Sequence, residues 1–260
     1  MSQYYQNFEG IIFSIKPYRE KDQLCQIFTK ETGKRMFFLR RGQTAKKAIR
    51  LTPLVRGSFV GHLPEQGFCF IKDIVQVAFP KVILFDIEKQ ACAGYMLQLV
   101  NRALAENEAC LKVYQKLWLG LQAMENGIDA WTLAQVFALQ MLPYFGVEPI
   151  FSHCAICGSE EGAFDYSMKY HGMLCEKHWP QDPNRLHWTP NSSYLVMKYA
   201  ELPIDKVGQV HLSTPLKKDI HHHIDDLYDE YTGVYLQTNQ FLKELFGLYN
   251  PLDASKGDKV

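Results

Sequence analysis

The sequence predicts an α+β protein with more than one domain, and three features of its 260 residues support this prediction. Apolar residues recur at every second position in much of the first 80 residues, as they do in β-strands. From about residue 83 the apolar spacing becomes that of amphipathic α-helices. Two close pairs of Cys and His residues then interrupt the helical pattern. We therefore expect a β-rich domain over residues 1–80 and a mostly helical domain over 81–260, with a metal-binding module at about residues 150–190.

The strand patterns of the first domain are short and separated by turn residues. They run through Ile11, Phe13 and Ile15, through Arg35, Phe37 and Leu39, and through Val55, Gly57, Phe59 and Gly61. Met36, Phe38 and Arg40 point away from the second set. Turns are expected at residues 32–33 and 64–67. About five strands in this length predict a small antiparallel barrel, and the OB-fold is the commonest such barrel that binds nucleic acids.

Helical spacing predicts three packed helices after the barrel and one near the C-terminus. The apolar positions are Cys92, Met96, Leu99, Val100 and Ala103; Val113, Leu117, Leu121 and Met124; Ala134, Phe137, Ala138 and Met141; and Leu216, Ile220, Ile224, Leu227 and Tyr231. Residues 126–127 separate the second helix from the third, and Pro143 and Gly146 end the third. The last residues are polar, and we expect a frayed end.

Four residues have the spacing of a structural zinc site. Cys154 and Cys157 are followed after 17 residues by Cys175 and His178, giving C-x2-C-x17-C-x2-H. Each pair brackets a tight turn whose backbone amides can hydrogen-bond to sulfur, and Zn²⁺ prefers a tetrahedral set of such ligands. Because all four ligands come from the protein, no position is left for water, and we expect the zinc to be structural.

Other interpretations of these residues remain. The four side chains need not meet in space, and Cys154 and Cys157 could form a redox pair. His153 and His171 are alternative ligands that lack the paired spacing. Residues 221–223 form a run of three His residues, but adjacent helix positions face different directions. We therefore expect that run to be a solvated or partner-facing surface.

The neutral formal charge of the whole chain conceals a charge asymmetry between its two parts. Residues 1–80 contain 13 basic and 6 acidic residues, a net of +7, and the remainder has a net of −7. A basic part of this kind indicates a polyanionic partner. The residues expected to contact DNA are Arg19, Lys21, Lys34, Arg35, Arg40, Arg41, Lys46, Lys47 and Arg50.

The basic segment that begins at Arg40 reads as a flexible loop that can follow a phosphate backbone without base-specific geometry. Four nearby aromatic residues could stack on unpaired bases. They are Tyr18, Phe37, Phe38 and Phe59, although strand aromatics usually belong to a core.

The sequence offers no catalytic site, and no membrane segment is expected. Phosphate-loop, dinucleotide-binding, metalloprotease and nucleophile-elbow motifs are all missing from it. The sequence begins without a secretory signal, and seven cysteines without one argue against a disulfide framework. We therefore expect a soluble cytoplasmic protein that associates with the nucleoid and is not an enzyme.

Short motifs along the chain resemble those of the RecO family of DNA repair proteins. In the barrel they lie at residues 10–13, 18–24, 28–29, 33–34 and 41–42. In the second part they are Leu142, Phe145, Gly146, Pro149, Cys154, Cys157, Gly158, Gly172 and Cys175. The resemblance covers nearly the whole chain in order. This sequence departs from the family's commoner pattern at His178, where a fourth cysteine is more usual.

The resemblance implies a recombination mediator that acts in DNA repair. Such proteins bind single- and double-stranded DNA, anneal complementary strands and help to load RecA onto strands coated by single-strand-binding protein. Implied partners are RecR and the C-terminal tail of single-strand-binding protein, with RecF as a further candidate. Some family members lack the cysteines, so the resemblance does not make zinc the functional centre.

Two functions from other classes remain as alternatives. The barrel could belong to a scaffold that binds proteins or structured RNA in translation. The metal site could instead serve a zinc-dependent nuclease, which would require an open or additional coordination position.

Overall fold

The computed structural model of the chain describes residues 5–18, 22–39, 51–65, 67–209 and 211–247. Across these ranges a five-stranded barrel is followed by seven α-helices, with a two-stranded hairpin between the fourth and fifth helices. The barrel strands are β1 (Gln6–Tyr18), β2 (Asp22–Thr29), β3 (Gly33–Leu39), β4 (Arg56–His62) and β5 (Cys69–Ala78). The hairpin strands are β6 (Phe164–Ser167) and β7 (Gly172–Cys175).

The barrel closes in the order β1-β2-β3-β5-β4. Neighbouring strands are antiparallel except β3 and β5, which pair in parallel through Phe37 with Cys69 and Phe38 with Phe70. This five-stranded closed barrel is an OB-fold, which confirms the predicted fold. The turn predicted at residues 32–33 is also present, and Gly33 adopts a φ of 74° there.

The inside of the barrel is a small core of its own. Its buried residues are Phe8, Ile12, Cys25, Ile27, Phe37, Leu39, Leu51, Val55, Phe59, Cys69, Ile71 and Ile74. The Phe8 ring stacks on Phe37 and Phe59, with centroids 4.8 and 5.3 Å away. Three rings therefore fill much of the space that a barrel of this size encloses.

One strand changes face midway along its length. The alternation in β1 predicts that Ile11, Phe13 and Ile15 share one face. Ile11 and Phe13 pack against the helices, but Ile15 packs against the barrel interior. The register of β1 against β2 shifts between Ile12 and Ser14, and an extra residue of this kind moves later side chains to the other face. The single-face prediction is therefore wrong at Ile15.

The helices confirm the predicted apolar spacing and add elements that it does not reveal. They are α1 (Lys81–Leu84), α2 (Ile87–Ala103), α3 (Leu111–Glu125), α4 (Ala130–Met141), α5 (Pro190–Glu201), α6 (Thr214–Tyr231) and α7 (Gln237–Leu245). The three predicted central helices are α2, α3 and α4, and the predicted C-terminal helix is α6. None of the helices in the described residues has the length and apolar content that crossing a bilayer requires.

The spacing of apolar residues does not predict helices α5 and α7, because few large apolar residues are buried on their inner faces. In α5 the buried positions include Ser192 and Ser193 beside Val196 and Tyr199. Thr189, which accepts a hydrogen bond from the Ser192 amide, and the Pro that follows it are the local signals for this helix. In α7 the one buried residue is Leu242.

Helix α4 is the centre of the helical part. Eleven of its twelve residues are buried, and it contacts α2, α3, α5 and α6. Its N-terminus is capped by Asp129, whose carboxylate accepts a hydrogen bond from the Thr132 amide at 2.8 Å and pairs with Lys217 at 2.6 Å. A helix surrounded on all sides in this way fixes the positions of its neighbours.

The run of three His residues lies on α6, and two of the three are buried. His221 Nε2 donates to Asn239 Oδ1 at 2.9 Å, which ties α6 to α7. The His223 ring stacks on Trp188 with centroids 4.3 Å apart, and its Nε2 lies 3.1 Å from Ser192 Oγ. Burial lowers the pKa of His223 to about 4. The interpretation of this run as a solvated surface is therefore wrong for these two residues, because their helix face packs inward.

The outer wall of the barrel joins the core of the helical part. Ile11, Phe13, Phe28 and Leu54 belong to the same buried cluster as the helix residues. The Phe28 ring lies 5.6 Å from the ring of Tyr114 on α3. This shared cluster means that the two parts are packed together by apolar burial and not only joined by a linker.

Close backbone contact and a cation also stabilise this interface between the barrel and the helices, which is called the seam. An added Cβ at Gly33 would lie 2.0 Å from the Glu108 carbonyl oxygen. The Arg56 guanidinium lies 4.4 Å from the ring centroid of Trp118 and pairs with Glu9 at 2.7 Å. The seam therefore requires glycine at position 33, for its positive φ and for the space that it leaves.

We expect Gly33→Ala to lower the free energy of unfolding by about 3 kcal/mol or more, because a methyl group adds a steric clash to left-handed strain. Gly127→Ala is the matched control. Gly127 has a φ of 90° but nothing within 4 Å of its added Cβ, so it carries the strain alone. Urea unfolding of both variants measures the difference. Equal losses would show that the contact at Glu108 does not matter.

Candidate functional site

The hairpin β6–β7 and the turn before it bring the four predicted metal ligands together. Cys175 ends β7, and His178 lies in the following 3-10 helix, Glu176–Gln181. A backbone hydrogen bond joins the turn that carries Cys154 and Cys157 to β7, because the Ala155 amide donates to the Met173 carbonyl at 2.8 Å. Two ligands are thus placed by a turn and two by the end of a strand.

The four ligand atoms form one compact cluster. All lie within 4.8 Å of one another. Cys154 Sγ is 3.5 Å from His178 Nδ1, Cys175 Sγ is 3.2 Å from the same nitrogen, and Cys157 Sγ is 3.8 Å from Cys175 Sγ. Three thiols and one imidazole at these separations could bind a metal ion, so the prediction that these side chains meet is confirmed.

Backbone amides prepare one thiol for metal binding. Burial by itself raises the pKa of Cys154, but hydrogen bonds from the backbone of Cys175, Cys157 and Ile156 lower that pKa to about 6. A thiol with a lowered pKa loses its proton readily, and the thiolate is the form that binds metals. The turn therefore supplies both the position and the charge state of this ligand.

The two alternative His ligands lie outside the cluster. The half-buried His153 has its Nδ1 2.8 Å from Ser152 Oγ. His171 Nδ1 lies 3.3 Å from the Tyr231 hydroxyl oxygen. Among the residues the structure describes, the one group that could hold a metal ion consists of the four predicted ligands.

The metal-binding module packs on the helical core through its hairpin. Phe164, Tyr166, Met173 and Leu174 are buried in the same cluster as the helices. The Tyr166 ring stacks on Trp188 with centroids 5.0 Å apart. Apolar packing therefore holds the hairpin on the helical core.

The predicted DNA-contacting residues divide into two groups. Seven of them, Arg19, Lys21, Arg40, Arg41, Lys46, Lys47 and Arg50, lie outside the described residues. The other two, Lys34 and Arg35, are adjacent on β3 and are 4% and 7% exposed. Their side chains therefore contact mainly the protein.

Lys34 links the barrel to the end of helix α2. Its Nζ donates to the Asn101 carbonyl oxygen at 2.6 Å and to Asn101 Oδ1 at 3.2 Å. Burial lowers the pKa of Lys34, and the nearby carboxylates of Glu106 and Glu108 oppose that shift. A cation at the C-terminus of a helix also interacts favourably with the helix dipole.

Arg35 occupies one end of the barrel interior. It is on the same face of β3 as Phe37 and Leu39, and its guanidinium donates to the Pro64 carbonyl oxygen in the β4–β5 connection. The bond connects β3 with the loop that precedes β5. Arg35 therefore supports the loop from inside the barrel.

The four aromatic residues proposed for base stacking also divide into two groups. Phe37 and Phe59 are fully buried in the barrel core. Tyr18 and Phe38 instead lie on the outside, where the Phe38 ring is 5.2 Å from Tyr18. The alternation of β3 already predicts that Phe37 and Phe38 face opposite ways, and this is confirmed.

Two exterior aromatic residues, Phe68 and Phe70, were missed in the sequence. Their rings lie 4.8 and 5.5 Å from that of Phe38. The signal that could have found them is the alternation around Cys69, which is buried between them and marks them as outward-facing. Phe38, Phe68 and Phe70 together form an exterior aromatic group.

We expect Cys154→Ser to reduce bound metal from about one ion per chain to nearly none, because a closed site needs all four ligands. The apparent melting temperature should fall as well. Cys110→Ser is the control, since Cys110 lies outside the cluster on the helix side of the seam. Elemental analysis and thermal unfolding of the purified variants provide the measurement. Unchanged metal content in Cys154→Ser would rule out this ligand set.

We expect Lys34→Met to lower the free energy of unfolding by about 1–3 kcal/mol, because the charged hydrogen bonds from the buried Lys34 to Asn101 are lost. The exposed Lys30, in the turn after β2, provides the control Lys30→Met, which should unfold like the parent protein. Chemical denaturation compares the two variants. A Lys34→Met variant as stable as the parent would contradict the role of this bond in the seam.

Comparisons with known proteins assign both parts of the chain. The family model "Recombination protein O N terminal" matches residues 1–78, and "Recombination protein O C terminal" matches residues 84–240. The chain is 35% identical over 239 residues to the DNA repair protein RecO of Lactococcus lactis subsp. cremoris strain SK11, covering 92% of this chain and 95% of the relative. It is 33% identical over 254 residues to the DNA repair protein RecO of Lactiplantibacillus plantarum, covering 97% and 98%. The resemblance read from the motifs is confirmed, and the chain belongs to the RecO family of DNA repair proteins.

Proposed function

We propose that the chain is a DNA-binding recombination mediator of DNA repair, which acts by binding and not by catalysis. It binds single- and double-stranded DNA, anneals complementary strands and helps to load RecA onto DNA coated by single-strand-binding protein. The observation that carries this proposal is an OB-fold barrel whose 80-residue segment has a net charge of +7. Family membership supports the assignment to DNA repair.

The charge distribution provides a physical reason for annealing. Two DNA strands repel each other through their phosphates, and a cationic surface that releases counterions from both lowers that repulsion. The proposed contacts are Arg19, Lys21, Arg40, Arg41, Lys46, Lys47 and Arg50. Lys34 and Arg35 would instead stabilise strand β3, which lies between these residues in the sequence. Because such contacts reach phosphates, the binding should have little sequence preference.

The helical part is proposed to serve protein partners. We infer RecR, the C-terminal tail of single-strand-binding protein, and RecF from family membership. The net charge of −7 outside the first 80 residues leaves that part poorly suited to a phosphate backbone. We further propose that the two parts are domains that divide near residue 80, and that the protein acts in the cytoplasm at the nucleoid.

We propose that the metal is a structural zinc ion. Tetrahedral zinc with ordinary bond lengths places two sulfurs about 3.8 Å apart and a sulfur and a nitrogen about 3.6 Å apart. The corresponding separations here are 3.8 Å for the sulfur pair and 3.5 and 3.2 Å for the two sulfur–nitrogen pairs. Three thiolates favour zinc over harder divalent ions. The ion would hold the turn and the hairpin together.

We expect the triple variant Lys46→Glu, Lys47→Glu and Arg50→Glu to bind single-stranded DNA much more weakly at low salt. If all three residues contact phosphates, the slope of log K against log salt should lose about 2 units of magnitude. Fluorescence anisotropy with a labelled oligonucleotide across a salt series measures both values.

A variant with the same charge change in the helical part is the control for this experiment. Lys81, Lys112 and Lys206 are exposed there, and their triple change to Glu should leave the slope unchanged. Equal effects of the two variants would mean that net charge, and not the basic segment, controls binding. Preference for transfer RNA over both DNA forms in competition would instead favour a role in RNA binding.

A further inference from the structure

The chain exposes four apolar side chains where the barrel leads into the helices. They are Phe79, Val82, Phe85 and Ile87, and they form the connector patch. Phe85 lies between α1 and α2 and is 92% exposed, so nearly its whole ring is in water. Together the four side chains expose about 400 Å² of apolar surface, an extent at which such patches often serve binding.

An apolar cleft of about 210 Å³ adjoins the connector patch. Its apolar walls include Phe79, Pro80, Trp118 and Leu121. Glu125 also lines the cleft, and its carboxylate accepts a hydrogen bond from the Val82 amide at 2.6 Å. Because Phe79 belongs to both features and Val82 is bonded to the cleft wall, the patch and the cleft lie side by side. A cavity of about 150 Å³ can hold benzene, so this cleft has room for a phenyl ring.

The charges around the connector patch balance one another. Asp86 and Lys89 form an ion pair at 2.7 Å. The exposed Lys81 and Glu88 have opposite signs. A surface with balanced charge offers no cation cluster to a polyanion, and it does not repel a second copy of itself. The connector patch therefore suits a protein surface of the same kind better than it suits a phosphate backbone.

A knob beside a cleft is an arrangement that two copies of one chain can use twice. In a dimer with a two-fold axis the same surface serves both subunits, so each copy can place its Phe85 in the cleft of the other. Both halves of the contact are then present on a single chain. Two patches and two clefts covered in this way would remove about 1,000 Å² from water, the size of a weak specific interface.

We propose that the connector patch is a self-association surface, through which two copies of the chain form a two-fold dimer with Phe85 of each copy in the cleft of the other. The limited contact area gives a weak dimer, with a dissociation constant in the micromolar range. Such a dimer carries two barrels. The proposal does not depend on the proposed DNA binding, because neither the patch nor the cleft includes a residue of the basic segment.

Sedimentation velocity of the full chain, over a concentration series that spans the micromolar range, tests the dimer. The parent protein should pass from monomer to dimer as its concentration rises. Phe85→Glu should raise the dissociation constant by about a hundredfold or more, because a charge would enter each apolar cleft. It should unfold at the parent's temperature, since the side chain is exposed. Phe68→Glu is the matched control on the barrel, where Phe68 is also exposed, and should dimerise like the parent.

Cysteine cross-linking tests whether the knob of one copy meets the cleft of the other. Phe85→Cys and Gln122→Cys are made as separate variants, because Gln122 is an exposed residue of the cleft. Under mild oxidation a mixture of the two should form a cross-linked dimer. Neither variant alone should exceed the parent protein, whose own thiols give the background.

A parent protein that stays monomeric throughout the series overturns the proposal and leaves the connector patch to a different protein. Dimerisation of Phe85→Glu at the parent's concentrations overturns it as well, as does an equal loss of the dimer in Phe68→Glu. Cross-linking of Phe85→Cys with itself, or no cross-link in the mixture, would show that Phe85 does not enter the cleft.

Discussion

The burial of one barrel wall against the helices is the contact on which the rest of the arrangement depends. Ile11, Phe13 and Phe28 face outward from their strands and share one buried cluster with the helices, in which Phe28 meets Tyr114 of α3. The bond from Lys34 to Asn101 and the close approach at Gly33 fix the register of that contact. Because this wall is buried, it is closed to ligands, whereas the Phe38 and Phe70 rings lie elsewhere on the outside of the barrel.

The sequence predicted the parts of the molecule in which one physical rule dominates. Large apolar residues at regular spacing identified α2, α3, α4 and α6, and paired ligand spacing identified the metal cluster. Helix α5 was missed because two of its buried positions are serines, which carry no hydrophobic signal. The change of face at Ile15 was missed because a bulge depends on the partner strand, and one strand's own pattern does not show it.

Charge proved a weaker guide to individual residues than to a whole segment. Lys34 and Arg35 are part of the basic stretch, yet both side chains satisfy carbonyl groups inside the protein. The same stretch on β3 shows how alternation refines such a prediction, since Phe37 and Phe38 are neighbours with opposite environments. The buried His221 and His223 show that a polar run on a helix can also face inward when each ring finds a partner.

The parallel pairing of β3 with β5 has a consequence for the order in which the chain can fold during synthesis. The pair joins residues 37–38 with residues 69–70, so the barrel cannot close until the fifth strand has left the ribosome. Its apolar wall is then covered only after α3 has been synthesised, and that helix begins at residue 111. Until that helix is synthesised, the nascent barrel exposes Ile11, Phe13 and Phe28 to solvent. A ribosome-bound chain of this length is therefore the stage at which aggregation or capture by a chaperone is most favoured.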